Sequence, residues 1–436
     1  MSTTQAIAGR GFTAHSFEAF LAARQEPAWL TALRRRGWEL YESLPPPDST
    51  QEEWRRTDIR LLRWDQYGPP AQGTAPTAPP ALLTEGVELA GHATSVNSLP
   101  AGSSLDPSWQ KQGVVFGPLD ALVEEHGALI EPHLLKRAVE PGYDRFSALH
   151  TACWSGGTLL YVPRGVKIDQ PLHVLSGLTD GGVDFGHILV VLEEGAEATL
   201  LAETAGGEGG GLHCGAVELL VGPGARLRFV SLQNWGAGVW HFAHQKALVE
   251  RDARVQWTIG ALGSRLSKVN QHVALAGSGA AAQVNGVMFT EGKQHLSYHT
   301  LQHHLVPGCH SDLLYKGALQ DRSRIVWRGM IKVDPEAQRT NAYQRNDNLM
   351  LSDDARADSI PGLEIEADDV ICTHGSTTGR VDDDQVFYCR CRGLTRNEAV
   401  RMIVAGFFQQ VFDRITIEPV REALGKTIGR RIRSYD

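Results

Sequence analysis

From about Tyr161 onward the chain alternates apolar and polar positions in short runs, the period-two signature of strands with one face turned inward. The runs are punctuated by turn residues at near-constant spacing: Gly165-Val166, Gly195-Ala196, Gly224-Ala225, Asp252-Ala253, Gly279-Ala280, Gly308-Cys309 and Glu336-Ala337. The second members of these pairs lie 30, 29, 28, 27, 29 and 28 residues apart. In most frames an apolar residue stands four places earlier, as with Leu192, Val221, Val249 and Leu305. Alternation resumes beyond the pair, as with Leu227 and Phe229 or Val255 and Trp257. Gly or Asp at such a corner suits a backbone entering the left-handed region. Regular corners with no helical period between them point to coils of strand stacked into a solenoid. An antiparallel meander of repeated hairpins is the competing reading of the same pattern.

The two ends have a different texture. Ser16 is expected to cap a helix carrying Phe17, Phe20 and Leu21, and Pro27 to open another carrying Trp29, Leu30, Leu33 and Leu40. Three consecutive prolines within 43–49 stop it, and the Gly, Pro, Ala, Gln and Thr of 68–80 read as an extended linker. Near the other end Thr395 and Glu398 form a capping box, followed at helical spacing by Val400, Ile403, Val404, Phe407, Phe408, Val411 and Phe412. Pro419 then opens a helix with Val420, Leu424, Ile428 and Ile432 on one stripe. Such helices either cap the last coil or present a face to another protein. Four segments are therefore expected: helical 1–67, linker and mixed α/β 68–150, strand-coil core 151–392, and helical 393–436.

Composition narrows the function classes. With 436 residues and 42% hydrophobic side chains, the chain can bury a large core. A formal net charge of -8 gives no general attraction to nucleic acid or to an anionic membrane. No secretory leader is read at the N-terminus, and the apolar run 188–192 is far too short to span a bilayer, so a cytoplasmic address is expected. Six cysteines scattered over this length read as reduced thiols, not as a disulfide framework.

Several chemical motifs fall away on inspection. Gly425-Lys426-Thr427 ends like a phosphate loop, but Val420 stands where its first glycine is required, and the segment is helical. His295, His299 and His303, four apart, would suggest zinc on a helix, but the solenoid context makes their segment a strand, on which they share a face about 13 Å apart, too spread for one ion. A metal role for this run with Cys309 and His310 stays open. Cys389 and Cys391, two apart, would share a strand face without the spacing of a redox or zinc pair. Cys372 and His374, also two apart, are a thiol and imidazole able to point the same way from a strand, a pair suited to iron, iron-sulfur or zinc. A buried cysteine beside a corner histidine is the plainer reading of the bare residues.

The run Ala367-Asp368-Asp369-Val370-Ile371-Cys372-Thr373-His374-Gly375, then Asp384-Gln385-Val386-Phe387-Tyr388 and Arg392-Gly393-Leu394, resembles the C-terminal signature of the SufB/SufD family of iron-sulfur cluster assembly proteins. So do Leu314-Tyr315-Lys316-Gly317, Gln338-Arg339-Thr340-Asn341-Ala342-Tyr343-Gln344, Asn348-Leu349-Met350-Leu351-Ser352-Asp353 and, upstream, Trp154-Ser155-Gly156-Gly157-Thr158 and Glu53-Trp54-Arg55-Arg56-Thr57-Asp58. The likeness runs from about residue 52 to the end, and the Cys372-Thr373-His374-Gly375 form resembles the SufD branch.

The resemblance implies a mainly β fold, a right-handed parallel β-helix core with N-terminal and C-terminal helical segments. It implies a non-catalytic scaffold subunit of an ATP-driven complex, whose last strands pair with a SufB-like paralogue. Its tail helices would dock a SufC-like ATPase through Val400, Ile403, Val404, Phe407, Phe408 and Val411. Cluster assembly at the SufB interface would fall to His374, as a transient metal ligand, helped by Cys372. No cofactor would be held tightly by the isolated chain, only a transient iron-sulfur cluster at the seam, and a homodimer is an option when the chain is alone. The pair Cys389 and Cys391 departs from the SufD pattern. A β-helix carbohydrate-active enzyme and a purely structural solenoid are the alternatives from other classes.

Overall fold

The computed structural model describes residues 11–432; the outer ends of the first and last expected segments, 1–10 and 433–436, lie outside them. The alternating region forms two long sheets. One runs through Leu172–Leu178, Glu197–Gly206, Arg226–Trp235, Arg254–Ala261, Ala281–Thr290, His310–Leu319, Thr340–Met350 and Val370–Arg380. The other runs through His187–Leu192, Gly211–Val221, Val239–Val249, Leu266–Leu275, His295–His304, Arg324–Val333 and Arg356–Ile365. Successive strands alternate between the sheets and every pairing among these is parallel, so the chain coils and the hairpin meander is excluded. The result is a parallel β-solenoid of about 8 turns.

Register explains the core. Phe229 lies beside Trp257, and Trp257 beside Val284, so inward positions stack in columns through the coil. Leu227, Phe229, Val255, Trp257, Val284, Leu313, Tyr315 and Trp327 are all buried in one cluster. The Phe229 and Trp257 rings meet edge to face at 5.6 Å.

Corners at Gly165, Gly195, Gly224, Asp252, Gly279 and Gly308 have positive φ, between 57° and 77°. In the last frame the positive φ falls on Arg339, at 57°, and not on Glu336. A second set of corners, on the other side of the coil, includes Gly181, Ser264, Gly292 and Asp321, also at positive φ. Its residue types vary more, and it carries no sequence signal comparable to the first set.

The solenoid's sheets begin earlier than residue 151. The hairpin Gly91–Val96 with Leu99–Leu105 joins the first sheet, Gly91–Val96 pairing in parallel with Leu172–Leu178. Val115–Pro118 pairs antiparallel with Gly157–Val162 in the second. The first coil is thus covered by preceding chain, whereas nothing among the described residues covers the last.

The N-terminal helix Ala14–Ala22 is capped by Thr13, with Ser16 at its third position closing a capping box; the expected cap at Ser16 is displaced because Thr13 already supplies the acceptor. Ala28–Ser43 follows. Arg34, 1% exposed, anchors this helix by a forked pair with Glu26 at 2.7 and 2.8 Å and by donating to the Trp154 carbonyl at 2.8 Å. Glu53 makes a second anchor, 3.3 Å from His299, 3.5 Å from Arg328 and 3.8 Å from buried Lys268, and accepts from the Tyr143 hydroxyl at 3.1 Å. Burial alone would raise the Glu53 pKa, but the His299 hydrogen bond and the two cations bring it down to about 2. A third anchor is fully dry: Glu218, in Gly211–Val221, accepts from the backbone N–H groups of Leu135 and Val139 at 2.7 and 2.9 Å and lies 3.1 Å from His187 Nε2.

Residues 383–390, expected within the strand core, form the helix Asp383–Arg390. Asp382 caps it by accepting from the Asp384 N–H at 2.9 Å, and the three consecutive aspartates suit a helix N-terminus. Two further helices, Arg396–Phe412 and Glu418–Arg431, complete the tail. They lie on the outer face of the first sheet, where Val400, Val404, Phe408, Val411, Val420, Leu424 and Ile428 form one cluster with Leu201, Val230, Leu232, Val287, Phe289 and Leu314. At Gly260 a Cβ would stand 2.8 Å from the Leu424 side chain, so the last helix approaches the sheet closely there.

Candidate functional site: the open last coil

The last turn of the solenoid consists of Arg356–Ile365 and Val370–Arg380, each the terminal strand of its sheet. Each pairs on one side only, with Arg324–Val333 and Thr340–Met350 respectively. Along the other side each strand leaves backbone N–H and C=O groups in a row, a template for a strand from another chain. The inner side is unfinished as well. Ile365 is 39% and Leu363 37% exposed, at positions equivalent to fully buried Val333 and Ile331 one turn earlier.

Cys372 and His374 both sit on Val370–Arg380, in register with Ala342 and Gln344 of the preceding turn. Alternation puts 370, 372 and 374 on the inner side, where Val370 and Cys372 pack on Ile331, Val333, Ala337, Ala342 and Ala367. Cys372 is half-buried and His374 exposed because no further coil lies over them. Burial pushes the Cys372 thiol above its ordinary pKa, so it is protonated at neutral pH and would release a proton on binding a metal. Access to the imidazole is open.

Beneath this strand runs a buried amide layer that sequence reasoning did not single out. Gln344, Asn346 and Asn348 are all buried, in register with His374, Ser376 and Thr378. Gln344 donates to the Gly362 carbonyl at 2.9 Å, and Asn348 to Ser359 Oγ at 3.1 Å. Gln344 Oε1 and Asn348 Oδ1 have no hydrogen-bond partner among the described residues. On the opposite face of the same strand pair, Thr377 donates to Asp347 at 2.5 Å. Only the alternation of Gln344, Asn346 and Asn348 within a strand, unusual for inward positions, could have revealed it.

The remaining sequence candidates separate. Cys389 is buried on the helix Asp383–Arg390 and Cys391 is exposed just past its end, so the two do not share a strand face. Of the six tail residues, Val400, Val404, Phe408 and Val411 are fully buried against the chain's own sheet and present nothing to a partner. Ile403 and Phe407 are half-buried and pack against the same cluster, leaving part of each exposed, while Met402 is 52% exposed; the other exposed large apolar residues of the tail are Tyr388, 57%, and Phe387, 67%. His295, His299 and His303 do lie on one strand, but His299 faces Glu53 and Lys268 while His303 pairs with Asp334 at 2.9 Å. Among the described residues no three His, Cys, Asp or Glu side chains group closely enough to hold a metal ion. No helix among them is long and apolar enough to cross a membrane.

Fold and site together define a β-solenoid whose last turn offers strand edges and a thiol-imidazole pair. A family model described as SUF system FeS cluster assembly, SufBD core domain, matches residues 174–407, and one for the SufBD protein N-terminal region matches residues 16–174. The chain belongs to the SufB/SufD family of iron-sulfur cluster assembly proteins. An iron-sulfur cluster assembly SufBD family protein of Mycobacterium tuberculosis is 34% identical over 294 residues, 65% of this chain and 73% of that protein. The iron-sulfur cluster assembly protein SufD of Bacillus subtilis is 27% identical over 424 residues, covering 95% of this chain and 97% of its own length. SufB of the same organism is 25% identical over 428 residues, covering 94% and 90%. Membership replaces the carbohydrate-active reading.

Proposed function

We propose that this chain is the SufD-type subunit of an assembly scaffold, pairing through its open last coil with a SufB-like paralogue and docking a SufC-like ATPase on its tail helices. The observation that carries the reading is the exposed terminal strand Val370–Arg380 with His374 accessible and Cys372 half-buried beside it. The two B. subtilis paralogues are too nearly equidistant to decide the branch, so the assignment rests on Cys372-Thr373-His374-Gly375.

Pairing of strand edges would finish the exposed backbone ladder and bury Leu363 and Ile365. Iron and sulfide, the cargo, would then meet His374 at the seam with groups of the partner. One imidazole and one thiol are few ligands, which suits a cluster that must leave. Movement driven by ATP would come from the partner ATPase, seated on the outer side of Arg396–Phe412 around Ile403 and Phe407. The test is reconstitution with SufB-like and SufC-like partners under anaerobic conditions. His374→Ala is expected to lower cluster formation, read by visible absorption, while the three chains still co-purify. Unchanged cluster formation would remove His374 from the function, and failure to co-purify with the wild-type chain would remove the pairing.

A further inference from the structure

A groove of about 550 Å³ crosses the outer face of the first sheet near the beginnings of its strands, away from the open coil. Register sets its floor. One row runs Glu197, Arg226, Arg254, Ala281, His310; the next, two residues along, runs Thr199, Arg228, Gln256, Gln283, Asp312. The side chains of Arg226, Arg228 and Arg254 are exposed and make no hydrogen bond or close ion pair with the described residues, although Arg226 and Arg228 lie near enough to Glu197 to help the Lys167 hydrogen bond hold its carboxyl below the ordinary pKa. The carboxylates nearby are differently placed: Glu197 is held by Lys167 at 2.7 Å, Asp312 by Arg414 at 3.1 Å, and Asp169 is exposed at the groove wall.

The arginine rows face solvent, and Arg226 stands between Glu197 on one side and Arg254 on the other, the latter a like-charge placement from which the sheet gains nothing. The three arginines spring from backbone positions about 5 Å apart across strands and about 7 Å apart along one. That spacing matches carboxylates on neighbouring or alternate residues of an extended peptide, and the fork geometry favours two-point contact with each. The chain's overall charge of -8 disfavours a long polyanion, which would be repelled everywhere except here. The groove is also bounded by ordered structure, since Gln256 donates to the Arg414 carbonyl at 2.8 Å at the turn between the last two helices.

We propose that this groove docks an acidic segment of a partner protein, its carboxylates taken by Arg226, Arg228 and Arg254. The proposal is independent of the role given to the open last coil. The probe is a fluorescein-labelled hexaglutamate peptide titrated against the full chain by anisotropy. Binding is expected at 50 mM salt and at least about tenfold weaker at 200 mM. The double variant Arg226→Ala/Arg254→Ala should weaken it about tenfold or more, while Arg60→Ala, paired to Asp58 elsewhere, should leave it unchanged. Circular dichroism of the variants checks that the exposed substitutions leave the fold intact. Absence of binding at 50 mM, equal binding by the double variant, displacement by inorganic phosphate at the same charge concentration, or tighter binding of a single-stranded RNA hexamer would each overturn the proposal.

Discussion

On the proposed reading, neighbouring phenylalanines on the tail helix Arg396–Phe412 have opposite tasks, and truncating each in turn would separate folding from docking. Phe408 is fully buried, within 6.0 Å of the Phe412 ring and in one cluster with Leu232, Phe289 and Leu314 of the solenoid. Replacing it with Ala strips about 100–150 Å² of apolar surface from the seat, or about 3 kcal/mol at about 25 cal/mol per Å², and an unfilled cavity raises this to about 3–5 kcal/mol. Phe407 is half-buried, with Lys316 Nζ 4.8 Å above its ring. Lys316 also donates to the Phe407 carbonyl at 2.9 Å, a bond that Ala retains, so Phe407→Ala should cost about 1 kcal/mol. Amide hydrogen exchange over 396–431, measured beside binding of a SufC-like ATPase, reads both effects. Phe408→Ala should speed exchange throughout the tail, whereas Phe407→Ala should leave exchange near wild type and weaken ATPase binding. Slow exchange in Phe408→Ala would refute the seating of the tail on the sheet, and full ATPase binding by Phe407→Ala would refute the docking face.

Two further outcomes follow from buried polar groups. Glu218→Ala strands the N–H groups of Leu135 and Val139 and leaves His187 without its carboxylate in a dry interior. At about 1–3 kcal/mol per orphaned group the loss should exceed about 3 kcal/mol by denaturant titration, and a loss under about 1 kcal/mol would show that the anchor is dispensable. Burial holds the pKa values of His295, His299 and His304 at about 4, with Arg324 and Lys268 beside His295, and Lys268 and Arg328 beside His299, adding to the effect. Below about pH 6.5 the unfolded chain binds protons that these folded imidazoles refuse. Stability should therefore fall by about 1.4 kcal/mol per pH unit for each group between pH about 6.5 and 4, and be insensitive to them above that window. Equal denaturant midpoints at pH 7 and pH 5 would contradict this.

The repeat was legible because its corners require special backbone. Gly195, Gly224, Asp252, Gly279 and Gly308 each supply the positive φ their position demands, and a small residue every 27–30 positions survives any variation between them. The opposite corners use Ser264 and Asp321 as well as glycine, and so left no regular mark. The tail's apolar stripe announced burial without saying against what. Val404 and Phe408 read equally as a docking face until the neighbouring sheet supplied their cover. The helix Asp383–Arg390 was hidden by its alternating Val386 and Tyr388, although Asp382, Asp383 and Asp384 carried the start signal of a helix. At the last coil, chain pattern predicted that Cys372 and His374 would share a strand side. It could not predict that His374 would be accessible, since exposure there depends on the absence of a following turn, a fact about the whole solenoid and not about the segment.

Hydrogen exchange across Val370–Arg380, compared between the dilute isolated chain and its complex with a SufB-like paralogue, bears most directly on the open coil as the pairing edge. Slowed exchange at alternate amides of this strand on complex formation, with interior strands unchanged, is the expected result. A complex that forms while these amides exchange as fast as in the isolated chain would put the partner elsewhere, and His374 would lose its place in cluster assembly.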